Sequence, residues 1–300
     1  MKPHGISSGI RWCEVIIMYK KLVEYDYTRK QPILSDKTPY RCRFCEEIKG
    51  PDEFKKIAHA VAECIGNKAI ISSYECDKCN HRFSAYESEL GKLYTFYRAN
   101  RSIRKKGGGK TKLPGTNIEY SEKDSTYSET INLTNNPYDC ILVGTYKNGT
   151  DFFFKSRKIT VNGPFVYRAL LKFSLSIAPE NLCSYLSSGF HILKKDEIFS
   201  QPVLEIVRKN IISKPKIRLY QYDGAAQYPR WFSCIDVFQI TYILFLDFEM
   251  QPNFLPYPII AESIESPIIS PDDIFAIQIR DFSRNVTIEQ AEQVSGHIKY

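Results

Sequence analysis

The sequence predicts an α+β protein in which a small metal-bound unit precedes a larger, strand-rich region. Two pairs of cysteines with the same short spacing lie between residues 42 and 79. A segment with helical periodicity follows the second pair, and the apolar segments after residue 118 are mostly short and rich in β-branched and aromatic residues. The order of these features sets the expected architecture.

The 300-residue chain has an ordinary globular composition, with 43% hydrophobic and 25% charged residues. This composition excludes a fibrous or wholly disordered protein. The longest largely apolar run, at 240–246, is far shorter than the about 20 residues that a membrane helix needs, and no cleavage site follows the short apolar stretch near Met1. We therefore expect a soluble, cytoplasmic protein with no membrane partner.

Positive charge is concentrated in the N-terminal third of the chain. Residues 1–115 contain 23 Lys and Arg against 13 Asp and Glu, whereas the rest contains 18 against 21. Such an asymmetry is typical of a region that meets a polyanion such as nucleic acid or an acidic membrane surface. Solvated surface lysines account for the charge equally well.

Composition divides the chain into four segments. Residues 1–38 form an irregular lead-in, and 39–98 contain the paired cysteines. Residues 99–117 are a basic linker, because Gly107–Gly109 and Pro114 do not suit a regular element. Residues 118–300 form a β-rich domain that recognises substrate, a protein partner or an activating signal.

The last segment alternates apolar runs with turn signals. The predicted strands are CILVGTY, DFFFK, RKITV, KIRLYQY, VFQITYILFLDFE and IFAIQI. Residues 165–178 predict an amphipathic helix that Pro179 ends. We expect a long proline-rich loop at 251–271 and a last short helix at 288–294.

Four of the nine cysteines form two Cys-x2-Cys knuckles. The other five are scattered and odd in number, so the cysteines do not have the pattern of a disulfide framework. Two such knuckles place four thiolates around one point and indicate structural, tetrahedral Zn²⁺. The predicted ligands are Cys42, Cys45, Cys76 and Cys79. Because the 30 residues between Cys45 and Cys76 exceed the usual spacing of about 15 to 20, we expect an inserted hairpin there.

The segment after the second knuckle predicts a helix with one apolar face. That face contains Phe83, Tyr86, Leu90, Leu93, Tyr94 and Tyr97. Asn80, Ser84 and Glu87 form a polar strip at its edge, which could face an ion or a ligand.

The order CRFC, a histidine within AHAVAECIGN, and ECDKCN at the start of a helix resembles the zinc-knuckle HNH endonucleases. The resemblance covers about residues 41–98 and implies their nuclease core, the ββα-metal or His-Me finger fold. In that family Pro and a Gly pair follow the histidine, and here Ala62 and Asn67 replace the Pro and the second Gly. The central Asn of the family has no clear equivalent before the second knuckle, where Asn67 is the nearest candidate.

The resemblance implies a catalytic site. His59 corresponds to the general base, and Asn80 to the residue on the metal side. Because Ala58 stands where many members carry an acidic ligand, we expect Glu87, or else Glu63, to supply the missing carboxylate to a catalytic Mg²⁺ or Mn²⁺. His81 is a further candidate ligand. Structural roles are the alternatives: a hydrogen-bonded His59, a helix cap at Asn80 and a solvated Glu87.

The implied activity is metal-dependent hydrolysis of phosphodiester bonds in nucleic acid, with DNA as the expected substrate. Members of the family act in DNA mobility and in defence against foreign DNA. The basic residues expected to contact nucleic acid are Lys55, Lys56, Lys78, Arg82, Arg104, Lys105 and Lys106. The alternatives are an inactive zinc module that binds nucleic acid, and a structural zinc protein for assembly.

Overall fold

A computed structural model describes most of the chain. The described residues are 19–30, 33, 40–100, 140–146, 149–155, 159–195, 199, 201–210, 212–223, 229–248, 274–288 and 291–296. The helices are α1 (Asp77–Leu93), α2 (Thr95–Asn100), α3 (Gly163–Ser176) and α4 (Ser187–Lys194). The strands are β1 (Tyr19–Asp26), β2 (Ala58–His59), β3 (Ile71–Ser72), β4 (Cys140–Tyr146), β5 (Gly149–Lys155), β6 (Ile159–Val161), β7 (Val203–Arg208), β8 (Lys216–Tyr222), β9 (Trp231–Val237), β10 (Ile240–Phe245), β11 (Ile274–Arg280), β12 (Val286–Ile288) and β13 (Ala291–Gly296).

An antiparallel six-stranded sheet with the order β1-β8-β9-β10-β7-β11 is the largest element. Its first strand comes from the N-terminal segment, where Tyr19 pairs with Tyr222 and Asp26 with Lys216. The prediction of an irregular lead-in is therefore wrong for β1. Smaller antiparallel sheets join β12 to β6, β13 to β5 and β4, and β2 to β3.

Helix α3 lies between α1 and the six-stranded sheet. Every residue of α3 except Phe165 is buried. On one side α3 contacts α1, and on the other it contacts β8 and β9, where the Ser174 and Ser233 hydroxyls are hydrogen-bonded at 2.5 Å. One hydrophobic core therefore runs from the cysteine-rich unit through α3 into the sheet.

The mixed helix-and-sheet architecture confirms the α+β prediction, and several elements lie where the sequence placed them. Helix α3 matches the helix predicted at 165–178, but it is buried all round rather than on one face. The apolar run around β10 is not one strand, because a turn at Phe238 and Gln239 separates β9 from β10.

The prediction of a last helix at 288–294 is wrong. β12 extends to Ile288 and pairs with β6, and β13 pairs with β5, so pairing with distant strands overrides the local helical pattern. The linker glycines and the loop predicted at 251–271 lie outside the described residues. In the part of the chain that is described, no helix is long and apolar enough to span a bilayer.

Candidate metal centre and active site

The four predicted zinc ligands meet at one point. The Sγ atoms of Cys42, Cys45, Cys76 and Cys79 all lie within 4.8 Å of one another. The Cys45 and Cys76 sulfurs are 3.9 Å apart, close to the roughly 3.8 Å edge of a tetrahedron with Zn–S bonds of about 2.3 Å. The cluster is therefore compatible with a closed structural zinc site, as the spacing predicts.

The pKa values of the clustered thiols link metal binding to proton release. Burial raises the pKa of the Cys45 thiol to about 11, and the hydrogen bond with Cys42 raises the pKa of Cys79 further above its usual value. That same hydrogen bond lowers the pKa of Cys42 to about 5. Because crowded thiolates repel one another, a cation is needed to hold all four deprotonated, and its binding must release protons.

Arg43, between the first two cysteines, fixes the metal centre to α3. Its Nη1 donates to the carbonyls of Leu175, Ser176 and Ala178 at 3.3, 2.9 and 3.0 Å. The guanidinium also lies 3.9 Å from the centre of the Tyr74 ring. Carbonyls at the end of a helix lack partners within the helix, so the knuckle supplies the C-terminal cap of α3.

A short hairpin and a helix follow one another around this centre. Ala58 pairs with Ser72 and His59 with Ile71 across β2 and β3, and α1 then begins directly after Cys76. The order is strand, strand, helix. The face predicted for α1 is confirmed, since Phe83, Tyr86, Leu90, Leu93 and Tyr94 are buried and Tyr97 is half-buried.

Asn67 closes the loop between the two strands. Its side chain is buried, and Nδ2 donates to the carbonyls of Val61 and Ile70 at 2.6 and 3.2 Å. Its Oδ1 accepts from the backbone amides of Ala69 and Ile70 at 3.1 and 2.9 Å. The full hydrogen-bonding capacity of the amide is used. Asn67 thus steadies the hairpin loop, although it lies earlier in the sequence than the resemblance suggests.

His59 pairs with a carboxylate at the edge of the hairpin. Its Nε2 lies 3.2 Å from Glu63 Oε1, and 17% of the His59 side chain is exposed against 40% for Glu63. A carboxylate bonded to one ring nitrogen fixes both the orientation of the imidazole and its tautomer. With the proton on Nε2, the basic lone pair is on Nδ1. His59 is thus neither fully buried nor fully solvated.

Glu87, the first choice for the catalytic carboxylate, is bound elsewhere. Its Oε1 accepts from Lys172 Nζ at 3.2 Å, and only 1% of the Lys172 side chain is exposed. The same ammonium forms an ion pair with Glu75 at 3.3 Å and donates to the His59 carbonyl. Because a buried cation already neutralises Glu87, the geometry argues against Glu87 as a ligand of a second cation.

Asn80 and His81 lie in the first turns of α1. Cys76, not Asn80, is the N-cap residue, and the Asn80 amide donates to the Cys76 carbonyl at 2.9 Å; the prediction of a cap at Asn80 is wrong. The Asn80 side chain is half-exposed and His81 is exposed. Among the described residues, His59, Glu63, His81 and Glu87 do not form a second cluster like that of the four cysteines.

The basic residues expected at a nucleic-acid surface fall into three groups. Lys55, Lys56 and Lys78 are exposed, with Lys55 paired to Asp52 at 2.7 Å. Arg82 is not presented to a ligand in this way, because its guanidinium lies 4.9 Å from the Phe83 ring centre and its Nε and Nη2 are buried. Residues 104–106 lie outside the described residues.

Comparison with known proteins gives no family, curated relative or solved structure that matches this chain. Two residues of the site, Arg43 and Lys172, are not candidates from the sequence alone. The local signals for them are the position of Arg43 between two of the paired cysteines and the presence of a lysine within the apolar pattern of the α3 segment.

Proposed function

We propose that this protein is a metal-dependent endonuclease of the HNH type, which hydrolyses phosphodiester bonds in nucleic acid, with DNA as the first substrate to test. One observation carries the proposal: the His59–Glu63 pair lies on a hairpin that Asn67 closes and that the four cysteines join to α1. The order of strand, strand and helix around a basic imidazole supports the resemblance seen in the sequence.

His59 acts as the general base in this proposal. The imidazole takes a proton from the attacking water, while Glu63, 3.2 Å from Nε2, orients the ring and stabilises the positive charge that develops on it. Partial exposure of His59 allows a phosphate and a water to approach it. The exposed Lys55, Lys56 and Lys78 contribute positive charge on the same unit for binding the nucleic-acid backbone.

The same unit carries two side-chain oxygen donors for a divalent cation. The second oxygen of Glu63 and the side-chain oxygen of Asn80 are the hard donors that Mg²⁺ and Mn²⁺ prefer, and both side chains are partly exposed. A bound cation would stabilise the negative charge on the leaving 3′ oxygen. Glu63 therefore replaces Glu87 in the proposed site, because Lys172 already neutralises Glu87.

A binding module without cleavage activity is the second candidate. Two observations favour it: Ala58, at the position of an acidic ligand, is buried, and Glu87 is paired with Lys172. An ion site with fewer carboxylates binds Mg²⁺ weakly. Such a protein would hold nucleic acid through its basic surface and leave it intact.

The test is incubation of the zinc-loaded protein with supercoiled plasmid, single-stranded DNA and RNA, with added Mg²⁺, with Mn²⁺ and with neither. We expect strand cleavage only when a divalent ion is added. Salt-dependent binding with intact substrate in every ion would establish the binding module instead. If the protein neither binds nor cleaves nucleic acid, a structural zinc protein is the remaining alternative.

Glu63 and Glu87 give a matched pair of substitutions for the catalytic carboxylate. We expect Glu63→Gln to lower the single-turnover cleavage rate by about 10- to 100-fold, because the imidazole loses its charged partner. Glu87→Gln keeps an oxygen that can accept from Lys172 and leaves the His59–Glu63 pair in place, so we expect a smaller loss than for Glu63→Gln. If Glu87→Gln lowers the cleavage rate more than Glu63→Gln does, then Glu87 supplies the catalytic carboxylate.

A further inference from the structure

Lys172 is a fully buried lysine in α3, and its ammonium lies among three oxygens of the proposed nuclease unit. Its Nζ donates to the carbonyl of His59 and to Glu87 Oε1, and it forms an ion pair with Glu75. The side chains of Lys172 and Glu75 are 1% and 0% exposed. A buried charge is costly unless it is paired and hydrogen-bonded, and here the two carboxylates and the carbonyl satisfy that need.

The three groups around the ammonium belong to three separate parts of the unit. His59 lies in β2, Glu75 directly precedes the zinc ligand Cys76, and Glu87 lies in the middle of α1. One ammonium therefore fixes the hairpin relative to the helix and to the metal centre. The point of attachment on the hairpin is the backbone of His59 itself, the residue that carries the proposed general base.

The hairpin alone is too short to fix that residue. β2 and β3 contain two residues each, and an isolated two-stranded ladder is marginal even when it is longer. The imidazole is joined to the backbone through two rotatable bonds, so a shift of the His59 carbonyl moves the ring as well. A catalytic group must be held within about 0.5 Å of its productive position, because a displacement of about 1 Å already lowers the rate strongly.

We propose that Lys172 is a positioning residue for His59, which connects the C-terminal region of the chain to the geometry of the base. This inference rests on the proposed function. Lys172 does not touch the substrate. It sets the place from which the His59 imidazole reaches the attacking water, and it uses the charge of Glu75 and Glu87 to remain buried at that place.

Arg168 provides a matched control on the same helix. It lies one turn before Lys172, is also buried, and donates to the hydroxyl of Tyr86 at 3.3 Å and to the carbonyl of Lys195 at 2.8 Å. It thus joins α3 to α1 as Lys172 does, but neither acceptor belongs to the hairpin. A loss that arises only from weaker packing of α3 against α1 should appear in both variants.

The experiment compares Lys172→Met, the double variant Lys172→Met with Glu75→Gln, and Arg168→Met in the full-length, zinc-loaded protein. The double variant also removes the carboxylate that Lys172→Met would leave buried and unpaired. It is therefore the variant to measure if Lys172→Met alone does not fold. For each, the single-turnover cleavage rate, the dissociation constant for nucleic acid, the zinc content and the melting temperature are measured. The NMR signals of the His59 imidazole are recorded as well.

We expect the Lys172 variants that retain zinc to lose at least about tenfold in cleavage rate, with affinity for nucleic acid within twofold of the wild type. Their His59 signals should move, and those of Arg168→Met should not. The inference is overturned if the double variant cleaves at the wild-type rate, or if Arg168→Met loses as much activity at the same melting temperature. If the wild type cleaves nothing, the proposed function fails, and unmoved His59 signals in the double variant would overturn the positioning role separately.

Discussion

Removal of zinc is expected to unfold the region around residues 40–100 and to abolish any activity of the protein. Zinc bound to four cysteines contributes an apparent free energy of roughly 10 to 16 kcal/mol in zinc-finger peptides, which exceeds the stability of most domains. The hairpin strands have only two residues each, so Asn67 and Lys172 alone should not replace the free energy that the metal supplies. Thermal unfolding and bound zinc, measured with and without a strong chelator, check this expectation.

Loss of the metal should also destabilise α3, because Arg43 caps the C-terminal end of this helix from within the first knuckle. Cys76→Ser should therefore lose zinc and lower the melting temperature of the whole core. Cys64→Ser is the matched control. Its thiol donates to the Glu87 carbonyl outside the four-sulfur cluster, so one zinc per chain should remain. Equal zinc content in the two variants would refute the assignment of the ligands.

Zinc-dependent stability should fall as the pH is lowered. Burial raises the pKa of Cys45 to about 11 in the metal-free cluster, so that form carries thiol protons that the zinc-bound form has released. The form that binds more protons becomes more stable relative to the other as the proton concentration rises. Acid therefore favours loss of the metal, and neutral or mildly alkaline solution favours its retention.

Replacement of His59 by Ala is expected to lower the single-turnover cleavage rate by about 10²- to 10⁴-fold, the range over which general-base catalysis contributes. The side chain is partly exposed and its ring bonds to Glu63 at the surface of the hairpin, so its removal leaves no large cavity. Zinc content and affinity for nucleic acid should stay near those of the wild type. Cleavage of a labelled substrate under enzyme excess measures the rate.

His81→Ala is the matched control for this substitution. His81 is exposed on α1, only two residues after a zinc ligand, and we place it outside the proposed site. Its loss should change the rate by less than about threefold. If the His59 variant loses zinc or melts at a lower temperature in proportion to its loss of rate, the imidazole has a structural role instead.

Local patterns in the sequence were enough to predict the metal ligands and the apolar face of α1. Two cysteines separated by two residues can only turn their sulfurs toward one point, and a period of 3.6 residues places Phe83, Tyr86 and Leu90 on one face. Both features depend on residues close in the chain, and the structure agrees with both. The hairpin expected between the two knuckles is also present, and His59 lies in its first strand.

Contacts between distant residues were beyond prediction from one sequence. Lys172 and the His59 carbonyl are 113 positions apart, and Arg43 lies 133 positions from Ser176. The pairing of β1 with β8 likewise joins residues 19–26 to residues 216–222. Periodicity shows which face of an element is apolar, but it does not show which element covers that face. The pairing of Glu87 with Lys172 was beyond prediction for the same reason, because its partner is on another helix.

Chemical rescue with free imidazole is the sharpest test of His59 as the general base. His59→Ala, loaded with zinc and supplied with a divalent ion, is assayed for nicking of supercoiled plasmid as free imidazole is added in increasing concentration. If the His59 imidazole takes the proton from water, the variant should be slow alone, and its rate should rise with imidazole concentration. A His59→Ala protein that nicks plasmid as fast as the wild type with no imidazole present would show that His59 is not the general base.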